Sequence, residues 1–321
     1  MRALICSFAL LSLFLGCSAP KPPTKPLWYT NPPTSYESYY AATNDHDALR
    51  AKRLAMVEFR RALLKDFEER LHSRTSSYLS AFERKALLNE AKEIVNKISF
   101  RGVREEQSAL HENRHYQLTS IPKRLLFEEF TQMDAAILQE TLARYDSLQT
   151  PEPLIRYGLL KELYKEVYLL AATELLKELV VSTYDATPTL LKIARIHKEY
   201  LELQKSISIF VATDVDSRPL AEGLKLALTQ EGLSLASHPK APGAYRLFVS
   251  SNASGYDEYE FHIYGYQAAY TLLNANNKQL ASRKHALIGK SRIDYADAKK
   301  QSLIGHYKTI KQIGLFQFLG L

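Results

Sequence analysis

A short apolar run at the start of the chain decides how much of it is left to fold. Arg2 is followed by residues Ala3 to Leu15 without a charge, and the run closes on Gly16 and Cys17. A bilayer-spanning helix needs about 20 apolar residues, so this stretch reads as a signal peptide, residues 1–16. Cys6 and Cys17 are the two cysteines. Cys6 leaves with the signal, so no thiol pair remains to oxidise and stability rests on packing. Roughly 300 residues remain, which is long for one core and comfortable for two domains or a little more.

Phe14-Leu15-Gly16-Cys17 resembles a bacterial lipobox, in which cleavage precedes a cysteine that is then acylated. Cys17 is therefore the expected mature N-terminus and lipidation site, carrying palmitate-type chains. An ordinary secretory signal and an uncleaved anchor are the other two readings. Each buried methylene contributes about 0.8 kcal/mol, and two or three acyl chains hold a protein on a bilayer where one does not. Ser18 after the cysteine matches outer-membrane sorting, because Asp there is the usual inner-membrane retention mark. Residues 17–27, with four prolines in Ser18 to Leu27, read as an extended tether.

Apolar residues make up 46% and charged residues 24% of the chain, as in a globular protein rather than a disordered one. The net charge of +7 is spread as Lys and Arg interleaved with Asp and Glu. That pattern is a solvated mixed-charge surface and gives no footprint for nucleic acid.

Pro26-Leu27-Trp28-Tyr29-Thr30-Asn31-Pro32-Pro33 leads into the strand-like Tyr39-Tyr40-Ala41-Ala42-Thr43. A helix is expected after Asn44 or Asp45, with Ala48, Ala51, Leu54, Ala55, Val57, Phe59, Ala62, Leu63 and Phe67 on a broad apolar face. These residues resemble the LPP-twenty family of bacterial lipoproteins, and the resemblance covers about residues 26 to 145. It implies an α+β domain at 28–145 and an envelope or flagellar-accessory structural role acting through protein partners or self-association. Thr43 stands where that family often has glycine. Within the same span, Ser80 to Ile98 reads as a second helix. Ile98 to Val103 and Tyr116 to Ile121 alternate as two strands.

Leu125 to Leu148, Pro153 to Tyr184 and Pro188 to Lys205 read as helices, the last two started by proline. The stretch 146–205 is expected to form either a helical spacer, with a rod of roughly 45 Å at 1.5 Å per residue, or an insert packed flat on its neighbours. From Ser206 to Leu321 the pattern changes to a C-terminal β-α-β-β-β-β-α domain, 206–321. Its strands are expected at Ile207 to Val211, Leu233 to Leu235, Ala244 to Val249, Tyr259 to Leu272 and Gln279 to Gly289. Its helices run from Pro219 to about Glu231 and from Tyr295 to Phe318, with a hairpin turn at Asn274 to Lys278. That order predicts an antiparallel or mixed sheet with helices on one face, and an α+β class for the whole chain.

Four features bear on chemistry. His111-Glu112-Asn113-Arg114-His115 satisfies H-E-x-x-H, whose two histidines bind zinc only when a helix puts them on one face. Here the motif falls between two strand-like runs. An extended chain would hold the histidines about 13 Å apart. Downstream Glu128 or Glu140 is a conceivable third ligand, though any helical protein offers one. Asp214-Val215-Asp216 follows a strand, and reads as a cap on the next helix in preference to a metal or phosphate site. Tyr256, Tyr259, Tyr264, Tyr266 and Tyr270 form an aromatic run suited to a protein or glycan interface, or in part to the core. Asn252-Ala253-Ser254 is a minimal sequon without the acidic residue the bacterial version needs, since Ser250 holds that place. No G-x-S-x-G, P-loop or G-x-G-x-x-G occurs.

The expectation is a non-enzymatic, outer-membrane-anchored lipoprotein without catalytic residues, metal ligands or cofactor, facing periplasm or surface. A zinc peptidase on His111, Glu112 and His115, and peptidoglycan binding through the tyrosine-rich sheet, are the alternatives.

Overall fold

The computed structural model describes residues 25–73, 82–241 and 243–321. Cys17 and most of the proline-rich tether lie outside the described residues. The chain is mixed α+β and divides into two compact units. The first takes the residues up to Ala136 together with Leu169–Leu190, the second Ile137–Tyr168 together with Leu191–Leu321. The stretch 146–205 is thus shared between them.

In the first unit a helical turn, α1 (Leu27–Thr30), precedes strand β1 (Ser38–Asp45) and helix α2 (Ala48–Ser73). The helix starts a little later than the Asn44 or Asp45 expected to cap it, because β1 continues to Asp45. Asp47 accepts from the Leu49 amide at 2.8 Å and so caps the new start. Ala51, Ala55, Phe59, Leu63, Phe67 and Leu71 recur every fourth residue and are all buried. Alanine at the near end lets the helix approach β1 closely enough for the Thr43 hydroxyl to donate to the Ala51 carbonyl at 2.8 Å.

Helix α3 (Arg84–Lys97) follows, then β2 (Arg104–His111), β3 (Arg114–Pro122) and α4 (Lys123–Ser147). The sheet is antiparallel in the order β1-β3-β2. Ile98 to Val103 is a connector and not the strand its alternation suggests. Phe100 and Gly102 have φ of 52° and 84°, which no regular strand allows. Ile98 and Phe100 are nonetheless buried, Phe100 stacking on Phe59 at 6.1 Å beneath the Arg60 guanidinium. Alternation here marks two plugs for the core. The real partner strand, β2, is an edge with nearly every residue exposed, so its sequence shows no apolar period.

The second unit includes the first part of helix α5 (Pro153–Val180), most of α6 (Thr187–Ser206) and a mixed sheet. The strands are β4 (Ser208–Thr213), β5 (Ser234–Leu235), β6 (Tyr245–Glu258), β7 (Phe261–Leu273) and β8 (Gln279–Ser291), in the order β5-β4-β6-β7-β8. Both β5 and β6 run parallel to β4, and β6, β7 and β8 form an antiparallel meander. Helices α7 (Arg218–Gln230), α8 (Tyr295–Ile313) and α9 (Leu315–Leu319) complete the unit. The expected single terminal helix is broken at Gly314, whose φ of 84° favours glycine. Gly289 sets how closely α8 lies on β8, since a Cβ there would come within 1.9 Å of the Ala298 carbonyl oxygen.

Candidate interaction surface

Strand β6 runs nine residues beyond the Val249 expected as its end. Strand β4 stops where Thr213 pairs with Val249, so from there the sheet is three strands wide. Residues Asn252 to Glu258 of β6 are exposed on both faces. On β8, Ser282, Lys284, Ala286, Ile288 and Lys290 are exposed, while Leu287, Gly289 and Ser291 are buried.

The tyrosine run separates along this ribbon by strand alternation. Tyr264, Tyr266 and Tyr270 share the face of β7 that meets α8. Lys299 lies over the Tyr264 ring at 5.7 Å, and the Tyr270 hydroxyl is 2.9 Å from His306 Nε2. Burial raises the Tyr266 phenol to about 12. Tyr256 stands on the opposite face beside Ile263, its cross-strand partner, and Tyr259 sits in the β6–β7 turn, almost fully exposed. The run is therefore core for Tyr266 and Tyr270 and surface for Tyr256 and Tyr259. Among the described residues it does not make a continuous aromatic platform. Asn252 and Ser254 of the sequon face the same side as Tyr256.

The H-E-x-x-H residues lie on a hairpin. Glu112 and Asn113 have φ of 47° and 59° and form its two-residue turn, with His111 paired to Arg114 and His115 to Leu110. Two positive φ values in a two-residue loop are the type I′ pattern, whose twist matches the strands. His111 is buried with its ring 6.0 Å from Tyr116, and the Arg114 guanidinium donates to Asn44. The helix a zinc peptidase needs at this motif is absent. Glu128 forms an ion pair with Arg124 and Glu140 with Arg144, each within one exposed turn of α4. No group of three or more metal-binding side chains occurs among the described residues.

Asp214 Oδ1 accepts from the Ser217 amide at 2.7 Å, just ahead of α7, and the Ser217 hydroxyl lies 2.8 Å from that of Ser251. Hydrogen bonds from Ser217 hold the Asp214 carboxyl below the ordinary range, with a further one from the Ser251 amide. The bond orders the turn ahead of α7 and does not cap the helix, whose N-cap is Ser217 and which has no side-chain cap hydrogen bond.

Two buried polar clusters were not legible beforehand. Lys177, Asp134, Glu174 and Tyr184 meet in the first unit, and Tyr270, His285, His306 and Phe318 in the second. Lys177 meets Asp134, and Tyr270 meets His306, across long stretches of sequence, and the charges Glu174 and Lys177 in an otherwise apolar stretch of α5 were the available signal.

No protein-family model and no curated protein matches the chain. Among solved structures it is similar to a minor lipoprotein from Acinetobacter baumannii, at 12% identity over 34% of this chain and 91% of that one, TM-score 0.27. Lipoprotein GNA1162 from Neisseria meningitidis gives 14% identity over 35% and 97%, TM-score 0.25. The secreted protein HP1454 from Helicobacter pylori gives 10% identity over 86% and 98%, TM-score 0.28. Likenesses at these TM-scores establish no common fold. No described helix is long and apolar enough to cross a membrane.

Proposed function

We propose that the protein is an envelope lipoprotein, held on the outer membrane by acylated Cys17, whose folded part binds other proteins or copies of itself and catalyses no reaction. The observation that carries this reading is the run from Arg2 to Cys17, a signal peptide ending on a lipobox-like cysteine and followed by a proline-rich tether. The exposed β6–β7–β8 ribbon supports it from the folded side, as three strands with solvent on their outer edges. The LPP-twenty resemblance of residues 26 to 145, and the flagellar-accessory role it implies, belong to the same proposal.

The peptidase alternative loses its geometric support on the His111 hairpin. The glycan alternative loses most of its platform to the burial of Tyr266 and Tyr270.

Metabolic labelling with palmitate tests the reading directly. Label is expected in the wild-type protein and absent from Cys17→Ser, with the variant moving from the membrane to the soluble fraction. Equal membrane association of Cys17→Ser would overturn the anchor.

A further inference from the structure

Over most of the chain Lys and Arg alternate with Asp and Glu, but two stretches near its start break that pattern. Ser18 to Tyr36 and Ala48 to Val57 carry Lys21, Lys25, Arg50, Lys52 and Arg53 and no carboxylate. The second stretch is the first part of α2. Arg50, Lys52 and Arg53 are exposed, and among the described residues none of them forms an ion pair. Leu49, Arg53 and Val57, four residues apart, make one row on the helix, with Arg50 and Leu54 in the next. Both rows lie on the side away from the buried Ala51, Ala55 and Phe59. Leu49 is 57% exposed, Val57 45% and Leu54 41%, so apolar side chains and cations share one open face. The carboxylates around it are already engaged. Asp47 accepts from the Leu49 amide and Asp45 from the Asp47 amide, while both oxygens of Glu58 take the Arg61 guanidinium at 2.7 Å.

The proline-rich tether joins the folded chain at the same end of this unit. The Tyr29 hydroxyl of α1 accepts from the Asn44 side-chain amide near the end of β1. Thr43, the preceding residue, donates to the Ala51 carbonyl of α2 from the other face of the strand. Leu27 of α1 is exposed. Cys17 and Lys25 are eight residues apart, a span of at most about 30 Å for an extended chain. An acylated Cys17 therefore keeps Lys25, and with it the start of α2, close to the bilayer.

We propose that the face of α2 from Leu49 to Val57 docks on the anionic phospholipid headgroups of the membrane that holds Cys17. Arg50, Lys52 and Arg53 lie against phosphates, and Leu49, Leu54 and Val57 enter the interface between them, as in amphipathic helices that lie in the plane of a bilayer. The inference rests on the lipid anchor of the function proposed above. Each Lys or Arg at an anionic surface strengthens binding about fivefold, which is weak for three cations acting alone. The anchor makes the contact intramolecular, so a weak patch is enough to hold the first unit in one orientation.

The test uses the acylated full-length protein. Cys6 leaves with the signal and the Cys17 sulfur carries lipid, so an introduced cysteine is the one free thiol for a fluorophore. Val57→Cys is labelled and reconstituted in vesicles of phosphatidylcholine, with or without phosphatidylglycerol, that contain a lipid-borne quencher. Strong quenching is expected in the anionic vesicles and little in the neutral ones. The same label at Glu69→Cys, about 18 Å along the helix, is expected to be quenched less in both. Adding Arg50→Gln and Arg53→Gln to Val57→Cys should lower the docking equilibrium constant about 30-fold, and Arg50→Lys with Arg53→Lys should leave it unchanged. Protein bound to both kinds of vesicle with the Val57 label equally quenched, or equally unquenched, would overturn the docking and leave the anchor intact. A label shielded from aqueous iodide yet not quenched by lipid would give this face to a protein partner or a second copy, and so also sink the docking. Protein that binds neither vesicle would remove the anchor, and the docking with it.

Discussion

Lys177 in the first unit and His306 in the second are both almost wholly buried, at 4% and 1% exposure, and are accommodated by opposite means. Lys177 Nζ donates to both oxygens of Asp134, at 2.7 and 2.9 Å, and to Glu174 at 2.8 Å, while the Tyr184 hydroxyl donates to the other oxygen of Glu174. Burial pushes the Asp134 carboxyl up, and Lys177 pulls it back. His306 has a phenol at hydrogen-bond distance, a stacked ring and no carboxylate. Burial depresses it from 6.5 to about 4, with His285 contributing, so the imidazole is neutral. One unit therefore hides charge by balancing it, and the other by not ionising. The first device is sensitive to loss of a partner, the second to pH.

Removing one partner from the balanced cluster is the severest way to break this contrast. Lys177→Met leaves Asp134 and Glu174 facing each other in the interior, and is expected to cost about 3–5 kcal/mol. Adding Asp134→Leu and Glu174→Leu should recover most of that, because apolar residues of similar size replace buried ion pairs with little loss. Amide exchange in β3 during urea titration reads both. A single substitution that leaves protection unchanged would show that the cluster is solvated and that the contrast is false.

Acid sharpens the other half. The folded pKa of His306 is depressed, so its contribution is complete above the unfolded value of 6.5 and is lost as pH falls toward 4. At about 1.4 kcal/mol per pKa unit, the loss approaches about 3 kcal/mol near pH 4. Tyr270 and His285 are the titratable groups nearest the ring; Tyr270 is held well above its ordinary range and stays neutral throughout. Exchange protection of β7 and β8 should weaken between pH 6.5 and 4.5 in the wild type and much less in His306→Gln. An equal slope in the two proteins would place the acid sensitivity elsewhere.

What could be read from the sequence follows from what each element buries. The α2 stripe from Ala51 to Leu71, the proline-started helices and the C-terminal strand order were legible, because each sets an apolar period against polar neighbours. The turn at Asp214 was legible from its place between strand and helix, but its bond goes to the Ser217 amide ahead of α7 and not to an amide of the helix. Strand β2 was not, because an edge strand wet on both faces has no period to show. The same holds for β6 beyond Val249, where Ser250 to Glu258 is polar or small apart from Tyr256 and is drawn into the sheet by its long ladder with β7. The connection of Lys177 to Asp134, or of His306 to Tyr270, depends on which helices pack together, and local patterns do not carry that. Cys17 is legible in the sequence alone.

The hairpin turn at Glu112-Asn113 gives the smallest effect and the sharpest discrimination. Both residues hold positive φ, a region costly for most side chains and tolerated by Asn. Asn113 fits its position, and Glu112 does not. Glu112→Asn should therefore stabilise the β2–β3 hairpin by about 0.5 kcal/mol, since Asn is among the residues that type I′ turns prefer. The same exchange deletes the glutamate that a zinc peptidase would need to activate water. The two readings of the segment thus predict opposite things for one substitution. As a turn, the variant melts slightly higher and its zinc content is unchanged. As a metal site, it loses a catalytic group without gaining stability, and His111→Ala strips stoichiometric zinc. Melting temperature and metal analysis on the same two variants decide between them, and a gain in stability with unchanged zinc leaves His111 as a buried ring against Tyr116 at the end of an otherwise exposed edge strand.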